Sequence, residues 1–416
     1  MPETGDKSDP HVSIGESAQY GAEGRYGLEG RCVDPRSGLQ SLLDALSDAG
    51  YRTVGPMVRD GVIVYDDVRN ETELPLGRTV EQAPGRWRLA GDPGSDQRFS
   101  WTPGAESWKR FVFPARSEVL RIRRTDGSWA NAGPRSADRP LALIGARDCE
   151  LRALDILDRV MLDPAHPDNR YAARRSATFV VAVTCGEPGG TCWCTSMGGG
   201  PQPRERFDLR VTELPAAGDH GSSHAGGGAG GHADRYGHRL LVEAGSEAGR
   251  RVLQQVPGVP ADEIDLRAAH AVVDRSVAMM PVRVNGPELP RLLAGSEHHP
   301  QWDVVAERCL SCGNCTMVCP TCFCSSFTDH TELGTHDAVR EQSWVSCFEL
   351  DHSLLGGRPV RATTAARYRQ WLTHKLQTWP EQFGTSGCVG CGRCTTWCPA
   401  GIDIVEEVTA LTGGRT

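Results

Sequence analysis

Sixteen cysteines stand in a chain of 416 residues, and two groups of them share one spacing. Cys309, Cys312, Cys315 and Cys319, followed by Pro320, read C-x2-C-x2-C-x3-C-P; Cys388, Cys391, Cys394 and Cys398, followed by Pro399, repeat it. Cysteines so spaced hold iron–sulfur clusters, and in two-cluster proteins the fourth cysteine of each run ligates the other cluster. The reason is geometric. A cubane presents one iron to each of four thiolates, and two-residue gaps let three sulfurs curl round one of its faces. A fourth ligand in the same tight loop would strain it, so that cysteine swings towards the neighbouring cluster. The expected ligand sets are Cys309, Cys312, Cys315 and Cys398 for one 4Fe-4S cluster, and Cys388, Cys391, Cys394 and Cys319 for a second. Zinc held by four thiolates is the competing chemistry, but its two cysteine pairs are usually separated by a longer spacer.

Cys149, Cys185, Cys192 and Cys194 form a further constellation, in GARDC and VTCGEPGGTCWC. Four thiols on one fold unit are enough for a third cubane. The same residues also suit two other readings, buried small hydrophobes or a redox-active Cys192–Cys194 disulfide, and spacing leaves all three open. Cys322, Cys324 and Cys347 are expected to pack near the clusters, and Cys32 stands alone. Asn314 and Arg393, inside the two runs, are candidates for tuning potentials through hydrogen bonds, with solvated loop positions as the plainer alternative.

The elements that must position these groups can be outlined. Residues 38–49 place Leu39, Leu42, Leu43 and Leu46 on one helical face, with Gly50 as a stop. Strands are expected at 51–57 and 62–68 around an Asp60-Gly61 turn, and again at 86–89, 110–113 and 119–122. Lys109 and Arg110 read as solvated strand-end charges. Strand 140–144, helix 150–161 and strand 178–183 make a βαβ unit. Residues 215–238 are rich in Gly, Pro, Ala and Ser and carry His220, His224, His232 and His238, which reads as a flexible loop; Gly226, Gly228 and Gly231 match G-x-G-x-x-G there by composition alone. Residues 261–281 and 288–308 are helical in pattern, with Trp302 a core aromatic; helices are also expected at 363–378, stopped by Pro380, and at 402–411. The fold class is α+β. A polar extension (1–35), expected to be disordered, precedes a mixed β/α region (36–260) and an α-helical two-cluster ferredoxin-like domain (261–416).

Composition narrows the function classes. A net charge of −8 with 24% charged residues argues against nucleic acid or an anionic membrane surface as partner. No apolar run approaches the ~20 residues of a membrane helix, and no signal peptide is evident, so a protein of the reducing cytoplasm, without membrane insertion, is expected. There is no G-x-x-x-x-G-K-[ST], H-E-x-x-H or G-x-S-x-G, so no catalytic site of its own is expected.

The stretches GARDCELRALDILDRV, VVAVTCGEPGGTCWCTSMGGGP, CLSCGNCTMVCPTCFCSSFTD and HKLQTWPEQFGTSGCVGCGRCTTWCPAGID together resemble the iron–sulfur beta subunit of cytosolic nickel–iron hydrogenases of the sulfhydrogenase type. The A subunit of anaerobic sulfite reductase is similar in the same blocks. The resemblance implies an electron-transfer subunit, binding its clusters through the motif cysteines. Its partners would be a flavin subunit that handles NAD(P)H and a hydrogenase small subunit. The equivalent relay in a sulfite reductase is the alternative of the same class, and a zinc-stabilised interaction scaffold the alternative of another.

Overall fold

The computed structural model describes residues 29–91, 94–125, 127–133, 139–216, 237–280, 282–331 and 337–414. The expectations for residues 1–28 and for 217–236, with His220, His224 and His232, lie outside the described residues. The chain is α+β, as its sequence implies.

Strand β1 (Gly30–Val33) leads into helix α1 (Ser37–Asp48), whose four leucines are all buried. Strands β2 (Arg52–Arg59) and β3 (Val62–Asp67) form a hairpin turned by Asp60 and Gly61, at φ 51° and 74°. Asp-Gly favours that left-handed pair because glycine carries no Cβ to clash. Strands β4 (Arg78–Ala83) and β5 (Arg86–Gly91) make a separate ribbon.

The strand expected at 110–113 is instead a helical turn, α2 (Lys109–Val112). Trp108 and Val112 are both fully buried four residues apart, a helical repeat that so short an apolar run conceals. Lys109 is buried too, so it is not a solvated charge; Arg110 does lie near the surface, in an ion pair with Glu106.

Strands β6 (Arg116–Thr125) and β7 (Ser128–Asn131) precede the βαβ unit. That unit consists of β8 (Leu141–Ala146), α3 (Asp148–Met161), α4 (Asn169–Ser176) and β9 (Thr178–Val183), with β8 and β9 parallel. Strands β10 (Leu209–Leu214), β11 (Arg239–Ala244) and β12 (Val259–Pro260) follow, with α5 (Glu247–Leu253) between the last two. One mixed sheet results, in the order β12-β1-β11-β10-β9-β8-β2-β3, whose central strands β10, β9, β8 and β2 are parallel.

Helix α6 (Glu263–Ala278) packs beside β10. The helix expected over 288–308 is two, α7 (Leu289–Leu293) and α8 (Gln301–Arg308), broken where Gly295 takes φ 81°. After α9 (Asn314–Met317), the insert between the cysteine runs supplies a hairpin that its polar alternation hid, β13 (Ser325–Thr331) and β14 (Asp337–Trp344). Strand β14 pairs with β6, and buried Asp337 bridges Arg121 (2.8 Å) and Arg123 (2.7 Å) across the join.

Helix α10 (Thr364–Thr373) runs through a π-helical turn (His374–Thr378) into α11 (Trp379–Phe383). Pro380 therefore starts a helix and does not stop one, its missing N–H costing nothing in a first turn. Helices α12 (Arg393–Thr396) and α13 (Ile404–Leu411) complete the chain. One apolar core lies against the large sheet; another, with Trp302, Phe348, Tyr368, Trp371 and Leu372, encloses the cysteine runs. Among the described residues no helix is long and apolar enough to cross a membrane.

Candidate metal centres

The two runs fold alike. In each, a left-handed residue precedes the second cysteine (Ser311 at φ 50°, Gly390 at 68°) and a left-handed glycine follows it (Gly313 at 73°, Gly392 at 72°). A short helix then begins, α9 or α12, and the two helices touch. The twist turns main-chain N–H groups inward: Gly390 N donates to Cys388 Sγ at 3.4 Å. Asn314 donates to the carbonyl of Trp397, tying the first run to the second.

Cys309, Cys312, Cys315 and Cys398 line one cavity. Cys398 reaches it from the other run. Tyr368 and Trp371 line the same cavity, and among the described residues neither the Tyr368 hydroxyl nor the Trp371 indole N–H has a hydrogen-bond partner. Cys312 is the exposed cysteine of this set.

Cys319, Cys388, Cys391 and Cys394 are brought together beside it. Cys394 feels the charges of the other three, and burial raises its thiol pKa well above the ordinary value. Burial pushes Cys388 up to about 12. Cys319 goes the other way. A hydrogen bond with Cys322, against the effect of burial, lowers it well below the ordinary thiol value, with the Lys375 ammonium helping.

Cys149, Cys185, Cys192 and Cys194 line a second cavity. Cys149 opens helix α3 just past β8, Cys185 follows β9, and Cys192 and Cys194 sit in the loop leading towards β10. These are the carboxyl ends of parallel strands, where open sheets of this kind form binding crevices. Burial raises Cys149 and Cys194 well above the ordinary thiol value and takes Cys192 to about 12.

The three sets adjoin in a row. Cys394 also lines the first cavity, and Cys391 also lines the one upstream. The contact between the second run and the upstream loop leaves no room for side chains. A Cβ on Gly390 would lie 2.6 Å from the Trp193 carbonyl oxygen, and one on Gly392 would lie 2.3 Å from that of Thr191. Trp193 N donates to the Gly390 carbonyl at 2.9 Å.

The donor chemistry fits metal-bound sulfur. Burial disfavours the free thiolate at these cysteines, and coordination to a metal would supply the positive charge that stabilises it. A zinc ion needs its sulfurs within about 2.3 Å of one point. Among the described residues no three Cys, His, Asp or Glu side chains converge in that way. The first and the upstream sets each line a cavity, a placement that fits a polynuclear group.

The surrounding polar groups differ from the sequence reading in several places. Arg393 is buried, not solvated, and pairs with Glu150 at 2.7 Å. The Lys109 ammonium donates to the carbonyls of Cys319 and Cys322, both at 2.9 Å, and lies 3.7 Å from the centre of the Trp344 ring. Cys322 hydrogen-bonds Cys319, while Cys324 lies close enough to Cys347 to raise its pKa. Trp302 is a core aromatic whose indole donates to Ser296 O at 2.6 Å. His238 is held by Glu213 (2.8 Å) and Asp96 (3.1 Å), away from every cysteine set. Cys32 is buried on β1, between β11 and the edge strand β12. Lys375 and Glu150, both against the cysteine sets, carry no signal in the sequence: each sits in a helical pattern where a charge reads as solvated.

Residues 308–402 match the 4Fe-4S dicluster domain family. Over 376 residues, 90% of this chain and 96% of its relative, the sequence is 29% identical to the sulfhydrogenase 2 subunit beta of Pyrococcus furiosus. No solved structure matches. The chain is thus a homologue of a sulfhydrogenase beta subunit and carries a 4Fe-4S dicluster domain.

Proposed function

We propose that this protein is an electron-transfer subunit of a sulfhydrogenase-type complex. Its partners are a flavin subunit that handles NAD(P)H and a nickel–iron hydrogenase module. The observation that carries the reading is the row of three adjoining cysteine sets, each with four thiols. Cys309, Cys312, Cys315 and Cys398 would hold one 4Fe-4S cluster, and Cys388, Cys391, Cys394 and Cys319 a second. Cys149, Cys185, Cys192 and Cys194 would hold a third.

A bound cluster supplies a site for one electron at a time. The chain's own residues do the rest. Tyr368, Trp371 and Phe348 keep water from the first set, and the fixed glycine turns hold its neighbour against the upstream loop. With Cys312 exposed, the first set forms one end of the row at the surface. The domain division at about residue 260 belongs to the same proposal, the upstream part carrying the third set and the downstream part the other two.

The test is anaerobic affinity purification of the tagged chain from its native cells. Co-purified flavin and nickel are expected. A sirohaem-bearing partner would place the relay in a sulfite reductase, and isolation with neither would overturn the assignment.

A further inference from the structure

Two lysines lie buried beside Cys319, and among the described residues neither is paired with a carboxylate. Lys375 is 5% exposed, and its ammonium donates to Cys319 Sγ at 3.2 Å, Thr321 Oγ1 at 3.0 Å and the Gly387 carbonyl at 3.4 Å. Lys109 is 2% exposed and spends its donors on two main-chain carbonyls and the face of Trp344. Of the three acceptors of Lys375, Cys319 Sγ is the one that can carry a negative charge. Arg393 also reaches this set, at Cys391, but Glu150 matches its charge.

A buried ammonium is costly unless an anion stands close by. Here the anion is the sulfur set itself. Local structure points the same way. Lys375 comes from the π-helical turn His374–Thr378, and single π turns inside helices are frequent at functional sites. The two lysines have different tasks: Lys109 touches only the main chain of the Cys319–Cys322 loop, whereas Lys375 touches the sulfur.

We infer that Lys375 sets the reduction potential of the site formed by Cys319, Cys388, Cys391 and Cys394, holding it higher than those sulfurs alone would. The inference rests on the reading of these four cysteines as cluster ligands. A cluster held by these four cysteines would gain one negative charge on taking an electron from a neighbouring site and would lose it on passing the electron on, with no bond made and no proton moved. A fixed positive charge hydrogen-bonded to one sulfur offsets the added negative charge. Because this set lies between the other two, its potential governs how long the electron stays mid-row.

The experiment is an EPR-monitored redox titration of the anaerobically purified holoprotein. A Cys388→Ser variant identifies which signal belongs to the site. In Lys375→Met the midpoint potential of that signal is expected to shift to more negative values while the others stay in place. Lys375→Arg, which keeps the charge, should hold the potential close to that of the wild type. If Lys375→Met does not take up iron, Lys375→Gln, which keeps a donor but no charge, takes its place with the same expected fall. An unmoved potential in the uncharged variant, or an equal shift of every signal, overturns the inference. Wild-type protein without iron would instead defeat the reading on which the inference rests.

Discussion

The guanidinium of Arg393 lies 2.7 Å from the carboxylate of Glu150, with side chains only 3% and 1% exposed. Arg393 belongs to the second cysteine run and Glu150 follows Cys149 on α3, so this pair joins two candidate metal sites through one buried contact. Burial raises the Glu150 pKa, and Arg393 draws it back. Removing one partner strands a buried charge, which costs roughly 3–5 kcal/mol. Arg393→Leu or Glu150→Leu should each lower the thermal midpoint sharply, and the double variant less than the sum of the two. Strictly additive losses in calorimetry would count against the coupling.

The fourth cysteine of each run serves the other run's site in this account. Cys398→Ala should therefore damage the cluster held by Cys309, Cys312 and Cys315 and spare the one held by Cys388, Cys391 and Cys394. Mössbauer and EPR spectra of the variant decide this. Loss of the local cluster would refute the crossed arrangement.

Gly392 is needed twice over, by its φ of 72° and by a Cβ position 2.3 Å from the Thr191 carbonyl oxygen. An alanine there meets left-handed strain of about 1 kcal/mol plus the clash. Gly392→Ala should push the second run away from the Thr191–Cys194 loop. Iron should then be lost from those two sites before the site at Cys309–Cys315, as iron analysis with EPR would register. Alanine at Gly50, which meets nothing within 4 Å, carries only the φ strain and should leave iron content unchanged.

His238 bridges Glu213 and Asp96. Burial opposes its protonation, but the hydrogen bond and charge of Glu213, aided by Asp96, raise the pKa above the ordinary 6.5. A raised folded-state value means that the stabilisation is fully present below pH 6.5 and is lost as pH rises through the folded value. Urea midpoints of the wild type should fall across that window, and His238→Gln should flatten the fall. An unchanged slope would remove His238 from the account.

What the sequence made legible follows from how local the determining forces are. The cysteine spacings name their chemistry within a few residues. The α1 leucine face and the Asp60-Gly61 turn are equally local, and each lies where its pattern puts it. The misread parts depend on distant partners. Strands β13 and β14 look polar because their stabilisation comes from β6 and from Asp337 between two arginines. Lys109 reads as a solvated charge, and Lys375 and Glu150 carry no signal, because a buried charge shows only when its partner, far along the chain, is in place; Arg393, a candidate for tuning potentials, is buried against Glu150. The gathering of Cys149, Cys185, Cys192 and Cys194 likewise needed the parallel order of β8 and β9.

Three four-thiol sites in one row would together hold three polynuclear clusters. Iron and acid-labile sulfide, measured on anaerobically purified protein, test this most directly. The account predicts a brown protein with about twelve of each per chain. About eight would remove the third site from the row, and a colourless protein with about two zinc ions would contradict the account outright.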